Sequence, residues 1–472
     1  MQVLVALAQA QGSIITRDDL VALCWDGRVV GDDAINRVMS RLRRVAEGIG
    51  AGSFAVETVT KVGYRLACGG NVRGLGEPDA MVVVESGART YQMRRRAMLF
   101  GATAASIIAV GGATFAYRRM KQSTISPEVR NLMTQAEITR EQVSLDSANE
   151  TLAIYQRVLT IAPDYADAWG KMGFTYAIYS HFRERDISAS MRSRAEAAGR
   201  RALELDPRNV YGELALAVAL PFIGHWLEKD RRLRRALANQ PDNAEILFAL
   251  GYLMMLVGRA REATGYYERI KVRPLRPVAY ADYILALGNS GRYEDMDRAM
   301  ADAALLYPTH PMVWGNRFEA MLFNGRPSAA RAMVQDVRGR PQHLSDRDAA
   351  TLGDLATALD ARRGPKAQRA LETQLLAARQ NLHAAGRAIK LASALGRVDE
   401  AFELANAYYF SRGYRIAGDT RENERDTIIL FAPVTKPMRG DPRFDSLVDD
   451  IGLERFWRQS GTQPDYRAAT PQ

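Results

Sequence analysis

Cysteine is almost missing from this chain. Two stand among 472 residues, Cys24 and Cys68, and positions 69–472 hold none. A disulfide framework is therefore excluded over the larger part of the molecule. No histidine lies near either cysteine, so a thiolate metal site is not expected, and Cys24 reads as a core residue. Histidine is scarce too. His181, His225, His310, His343 and His383 are scattered, with no H-E-x-x-H and no paired spacing. A P-loop, a G-x-S-x-G elbow and a Gly-rich dinucleotide loop are also missing. These absences predict a protein that is not an enzyme and needs neither metal nor cofactor.

A second absence is local. From Ala34 to Ala46 there is no acidic residue, yet "DDAINRVMSRLRRVAEG" (32–48) carries Arg37, Arg41, Arg43 and Arg44. Its apolar residues, Ile35, Val38, Met39, Leu42, Val45 and Ala46, fall on one helical face. Asn36, Ser40 and the arginines occupy the other. A solvated helix face would have this composition, so the neighbours decide. Net charge does not: residues 1–96 hold 13 Lys and Arg against 10 Asp and Glu, a small part of the total of +10. Only clustering points to an acidic partner.

The neighbours are informative. "MQVLVALAQAQ" reads as a helix already under way. "GSII" is a turn with a short extended piece. Thr16 opens a second helix with Asp19 three residues on, a capping-box-like pair. Asp32 caps the basic helix, which stops at Gly48. "SFAVETVTKVGYRLA" (53–67) alternates as two strands that turn around Thr60-Lys61-Val62. Helix, helix, basic helix, hairpin is a winged helix-turn-helix order, in which the basic helix enters the major groove.

"IITRDDLVALCW", "VVGDDAINRVMSRLRRVAEG" and "VETVTKVGYRL" resemble the OmpR/PhoB-type winged-helix DNA-binding family over residues 3–67. The resemblance implies that 32–48 is the recognition helix. It places Arg37 and Arg41 toward bases and Arg43 and Arg44 beside phosphates. Asn36 and Ser40 share that face, Trp25 approaches the backbone, and Lys61 sits at the wing tip. The family has a β-sheet ahead of the first helix, which this sequence lacks. Val3, Leu4, Leu7 and Ala8 are then expected to face water on one side, and the reading frame to continue upstream of Met1. No phosphorylated receiver domain precedes the segment, so a phosphorelay input is not expected.

"AMLFGATAASIIAVGGATFAY" (97–117) has 21 residues without a charge, between Arg94–Arg96 and Arg118, Arg119 and Lys121. About 20 apolar residues cross a bilayer as a helix, so a single span is predicted. Gly101, Ala105, Ala109 and Ala113 recur every four residues, as a small-residue face for pairing two such helices would.

Beyond it, Pro207, Pro241, Pro274, Pro308 and Pro341 repeat with a period of 33–34. "WGKMGFTY" (169–176) and "LFALGYLM" (247–254) fit the W-x-x-L-G-x-x-Y pattern, and "GRAREAT", "GRYEDMD" and "GRVDEAF" each open a helix. These resemble tetratricopeptide (TPR) repeats, helix pairs that stack into an α-solenoid with a concave groove. Pro163 lies 44 before Pro207, which places an insert of about ten residues near "SHFRERDISAS". Trp169, Trp314, Tyr176 and Tyr267 fall on repeat-core positions. In the tail, Phe444, Leu447, Leu453 and Trp457 are expected to cap the open end of the array.

The predicted chain is mainly α. Its parts are a winged helix (1–67), a Gly-rich linker (68–96), a span (97–117), a TPR-like solenoid (126–430) and a cap and tail (431–472). This order resembles ToxR/CadC-like membrane-anchored regulators. The resemblance implies a bacterial inner-membrane protein with the DNA-binding part cytoplasmic and the repeats periplasmic. Its partners would be double-stranded DNA, the membrane, a second copy of the chain, and a protein or peptide in the repeat groove. The rival reading is an envelope scaffold with a vestigial winged helix.

Overall fold

In a computed structural model of the chain, the described residues are 2–10, 14–16, 19–20, 24, 38–39, 42–43, 54–59 and 63–68, then 125–140, 145–181, 185–271, 276–342, 344–362, 364–379, 382–416 and 425–468. They belong to two compact units, Met1–Leu99 and Phe100–Gln472.

In the first unit, α1 (Gln2–Gln9) is followed by β1 (Ile15–Thr16), β2 (Phe54–Val59) and β3 (Gly63–Cys68). The sheet order is β1-β3-β2, with both pairings antiparallel. Ile15 lies opposite Tyr64, and Val59 opposite Gly63 sets the register of the hairpin. Alternation turns Val56, Tyr64 and Leu66 inward and leaves Glu57 and Arg65 outside. Asp19 and Leu20, Cys24, Val38 and Met39, and Leu42 and Arg43 are helical. The Thr16 Oγ1 accepts from the Asp19 amide at 3.2 Å and bonds its carboxylate at 2.6 Å, the two halves of a helix start.

One expectation fails here. Val3 and Leu7 are 3% and 0% exposed, not turned to water. α1 packs on β3, and both side chains join Ile15, Leu20, Cys24, Met39, Leu42, Val56, Tyr64 and Leu66 in one core, with Leu4 partly buried against it. The hairpin and β1 thus supply the cover that an N-terminal sheet was expected to provide for these two residues. The Ala8 side chain lies outside the described residues.

The second unit stacks eight helix pairs among its described residues. They are α2 (Pro127–Arg140) with α3 (Leu145–Ile161), α4 (Ala166–Ser180) with α5 (Arg185–Leu205), α6 (Val210–Val218) with α7 (Trp226–Asn239), and α8 (Ala244–Leu256) with α9 (Ala260–Arg269). After them come α10 (Pro277–Asn289) with α11 (Tyr293–Leu306), α12 (Pro311–Phe323) with α13 (Pro327–Gln335), α14 (Asp346–Ala361) with α15 (Pro365–Ala378), and α16 (Leu382–Ala394) with α17 (Val398–Phe410). The periodic prolines Pro207, Pro241, Pro308 and Pro341 lie between pairs, and two residues after the first three of these a side chain caps the next helix. Asn209 accepts from the Gly212 amide, Asn243 from those of Glu245 and Ile246, and His310 from that of Val313. Within pairs, the chain turns through Gly258, Gly291, Gly325 and Gly396 at φ of 75–82°, which a side chain rarely adopts. The extra residues after Pro163 are absorbed largely by α5, which runs for 21 residues.

Tyr176, Tyr267 and Trp314 are buried as the repeat pattern requires, and Trp169 is partly buried with its Nε1 donating to the Pro163 carbonyl at 2.7 Å. A Cβ at Gly251 would stand 2.8 Å from the Tyr267 ring, so this glycine is what lets α8 and α9 close.

The tail differs from expectation. It comprises two 3-10 turns (Ile428–Phe431 and Pro433–Thr435), α18 (Lys436–Arg439), α19 (Arg443–Ile451) and α20 (Leu453–Ser460). Phe444, Leu447, Leu453 and Trp457 are buried, but not simply over the last pair. The Trp457 Nε1 donates to the Val257 carbonyl at 2.9 Å, and the Phe456 and Trp226 rings meet edge-on at 6.4 Å. The tail therefore reaches back to the third and fourth pairs. The last repeat helix also ends at Phe410, so residues 425–430 belong to the tail rather than to the array.

Among the described residues, no helix is long and apolar enough to cross a membrane. The predicted span 97–117, with Gly101, Ala105, Ala109 and Ala113, lies outside them.

Candidate nucleic-acid interface and the inner face of the repeats

Among the described residues, Arg43 hydrogen-bonds the basic helix to the hairpin. Met39 and Leu42 are buried, and half-buried Arg43 follows Leu42 out of the core. Its Nε donates to the Val56 carbonyl at 3.2 Å and its Nη2 to the Thr58 Oγ1 at 2.6 Å, both on β2. Arg43 was expected beside a phosphate. In the structure its guanidinium first braces the helix against the wing. On the same hairpin, Arg65 and Glu57 lie opposite each other and pair at 2.6 Å. Trp25, Asn36, Arg37, Ser40, Arg41, Arg44 and Lys61 lie outside the described residues.

Residues 1–66 match the family model described as "Transcriptional regulatory protein, C terminal". The N-terminal unit is thus similar to a transcription-regulator domain, and the match suggests DNA binding. No curated protein matches the chain. Solved helical structures similar to it include three that illustrate the match. One is YrrB, described as a TPR protein with an unusual peptide-binding site, at 15% identity over 44% of this chain and 97% of that one, with a TM-score of 0.31. The second is PilF of Pseudomonas aeruginosa, at 17% over 52% and 93%, also at 0.31. The third is PilW, described as a type IV pilus biogenesis factor, at 16% over 52% and 96%, again at 0.31. Overlap this partial transfers nothing to the present chain, whose repeat stands on its own helices.

The first helices of the pairs line an inner face, because they meet across pairs that are not neighbours. Arg140, on α2, pairs with Glu245, on α8, at 2.9 Å. Arg276 adds a second bond to Glu245 at 2.9 Å. Arg140 and Lys171 both reach Glu137 at 2.9 Å, and the Tyr155 hydroxyl donates to the same carboxylate. Burial pushes both carboxyls up, but the surrounding cations outweigh it. Glu245 is held below the usual range, and Glu137 is lowered to about 2.

Farther along the array the inner face is occupied by the tail. The Tyr409 hydroxyl donates to the Asp426 carbonyl at 2.9 Å, and Ser393 Oγ to that of Val434 at 3.0 Å. A Cβ at Gly386 would meet the Ile429 Cδ1 at 2.8 Å, and one at Gly258 the Phe431 ring at 2.8 Å, so both glycines make room for tail side chains. Sequence reasoning placed an outside peptide in this groove and did not see the chain's own segment there.

Two histidines have structural duties. His310 caps α12. His181 is buried, stacks on Phe222 at 4.4 Å and donates through Nε2 to the Val218 carbonyl at 2.8 Å. Burial and the nearby Lys229 charge push its imidazole down to about 4. Among the described residues no His, Cys, Asp and Glu group is arranged to hold a metal ion. His225 and His383 are exposed, and His343 lies outside the described residues.

Proposed function

We propose that this chain is a membrane-anchored, non-enzymatic DNA-binding transcriptional regulator, in which a protein or peptide sensed by the repeat unit alters promoter occupancy by the winged helix. The observation that carries the reading is the regulator-domain match over residues 1–66, on a unit whose basic helix is braced to a β-hairpin through Arg43. The uncharged run 97–117 between basic flanks supports a single span in a bacterial inner membrane. On this reading the N-terminal unit is cytoplasmic and the repeats are periplasmic. The spacing of Gly101, Ala105, Ala109 and Ala113 supports pairing of two chains through their spans.

The test is DNA binding by the full chain. Arg37→Ala or Arg41→Ala should weaken specific binding by about 1–3 kcal/mol and relax sequence preference. Arg44→Ala should weaken binding to all sequences and lower the salt slope by about one unit. Unchanged affinity in the triple variant ends the DNA-binding reading. A periplasm-dependent phosphatase reporter should be active when fused after residue 130 and silent after residue 90; the reverse excludes the topology.

A further inference from the structure

The repeat departs from its period once, and the departure builds something. Pro163 and Pro207 are 44 residues apart where the later prolines are 33–34 apart, and α5, which takes up the difference, runs for 21 residues. Among the described residues, the second helices of the other pairs have between 9 and 17. α3 and α5 flank an open cavity of about 220 Å³. Both are second helices, so the cavity lies away from the inner face. α3 contributes Asn149, Leu152, Ala153 and Gln156, which share one helical face. α5 contributes Met191 and Arg194, and half-exposed Ile187 continues their stripe one turn earlier. The Tyr176 ring, from α4, is buried between them.

The polar groups of this cleft are uncommitted. Arg194 lies over the Tyr176 ring at 5.8 Å and has no ion pair with a described residue. The nearest acid along α5, Glu196, is paired with Arg200 at 2.7 Å. The side-chain amides of Asn149 and Gln156 have no hydrogen bond to a described residue either. The cleft thus combines an apolar lining, one positive charge held in place by stacking, and two amides that each donate and accept. The inner face gives an outside peptide less room. Arg140 bridges α2 to α8 across it, and the tail lies on it along the later pairs.

We propose that the cleft between α3 and α5 is where the repeat unit takes a peptide. A large apolar side chain enters the cavity, the carboxylate of the next residue pairs with Arg194, and Asn149 and Gln156 hold the peptide backbone. The ligand class is a segment with an apolar residue followed directly by Asp or Glu. An apolar anchor in a desolvated pocket carries most of the affinity of such a contact, and the charge pair sets which segment fits. The inference rests on the reading of the repeat unit as a sensor of a protein or peptide and gives that partner its chemistry.

The experiment is thiol alkylation of the full chain in lipid nanodiscs, read by peptide-resolved mass spectrometry. The native cysteines, Cys24 and Cys68, fall on other peptides. Ala153→Cys places a thiol on the exposed wall of the cleft, and Ala332→Cys places one on the exposed side of α13, in the sixth pair. The probe is acetyl-Gly-Phe-Asp-Gly-amide. It should slow alkylation at position 153 saturably and leave position 332 unchanged. With Asn in place of Asp, about tenfold more peptide should be needed for the same protection, the size of one charge-assisted contact. With Ala in place of Phe, protection should vanish. Arg194→Gln should make the Asp and Asn peptides equivalent. No protection by any peptide, equal protection by all three, or discrimination that survives in Arg194→Gln would overturn the proposal. The same preparation is titrated with genomic DNA fragments. A chain that binds DNA but ignores the peptides loses only the cleft, whereas one that binds the peptides but no DNA loses the regulator reading.

Discussion

Arg43 holds two of its donors inside its own unit, on a carbonyl and a hydroxyl of β2. A hydrogen bond with one charged partner contributes about 1.5–3 kcal/mol when shielded, and less where water competes. Arg43→Ala should therefore lower the stability of the N-terminal unit by about 1–2 kcal/mol. A double-mutant cycle with Thr58→Ala, read by thermal melting, should give a positive coupling energy. Zero coupling would mean that the guanidinium is free for other work. At this scale much was legible. The inward face carrying Met39 and Leu42, the Thr16–Asp19 pair and the buried Tyr267 and Trp314 all follow from spacing. The brace of Arg43 was not legible, because helical periodicity gives a side chain's direction but not which strand it meets. The caps at Asn209 and Asn243 were within reach of the sequence, two residues beyond periodic prolines, and were overlooked in favour of the prolines themselves.

Elements show the same division. Helix pairs, their turns and the hairpin follow from local pattern, whereas what joins distant pairs does not. Glu245 and Arg140 stand 105 positions apart, and nothing in either's neighbourhood announces the other. Glu245→Ala leaves Arg140 and Arg276 without their shared carboxylate. Breaking a buried pair in this way costs about 3–5 kcal/mol, and a clear drop in denaturant midpoint should follow. The network also has a pH signature. Glu137 is lowered from its ordinary value to about 2 in the folded protein. Its contribution is present above about pH 4.5 and is lost as pH falls from there toward 2. Glu137→Gln should remove that part of the acid slope; an identical slope in the variant would contradict the assignment.

For the whole repeat unit, the tail decides how the array behaves. A simple solenoid is stabilised between neighbours and can fray from either end. Here α8 is bonded to residues 427, 457 and 465, so the pairs from the fourth to the eighth are held within one closed set of contacts. Asp282, on the inner face, gives that region a charge-dependent stability. Burial pushes its carboxyl up to about 7, the Asp426 charge adds to this, and the Asn316 amide opposes it. The folded protein then keeps a proton that the unfolded chain has already released, so stability falls as pH rises from about 4 to 7. Asp282→Asn should flatten melting temperature against pH over that interval. A slope equal to that of the parent chain would place the titration elsewhere. None of this was visible as sequence, where the tail reads only as apolar residues in search of a surface.

The order in which the chain is made gives this closure a timetable. Thr427 follows its acceptor Leu256 by 171 residues. At about 5–20 residues per second of synthesis, the receiving turn waits roughly 10–30 s for the segment that will cover it. During that interval the α8–α9 turn keeps its carbonyls open to water while the later pairs are still being made. The nascent array is therefore a linear stack stabilised only between neighbours, and it becomes a closed one when the tail arrives.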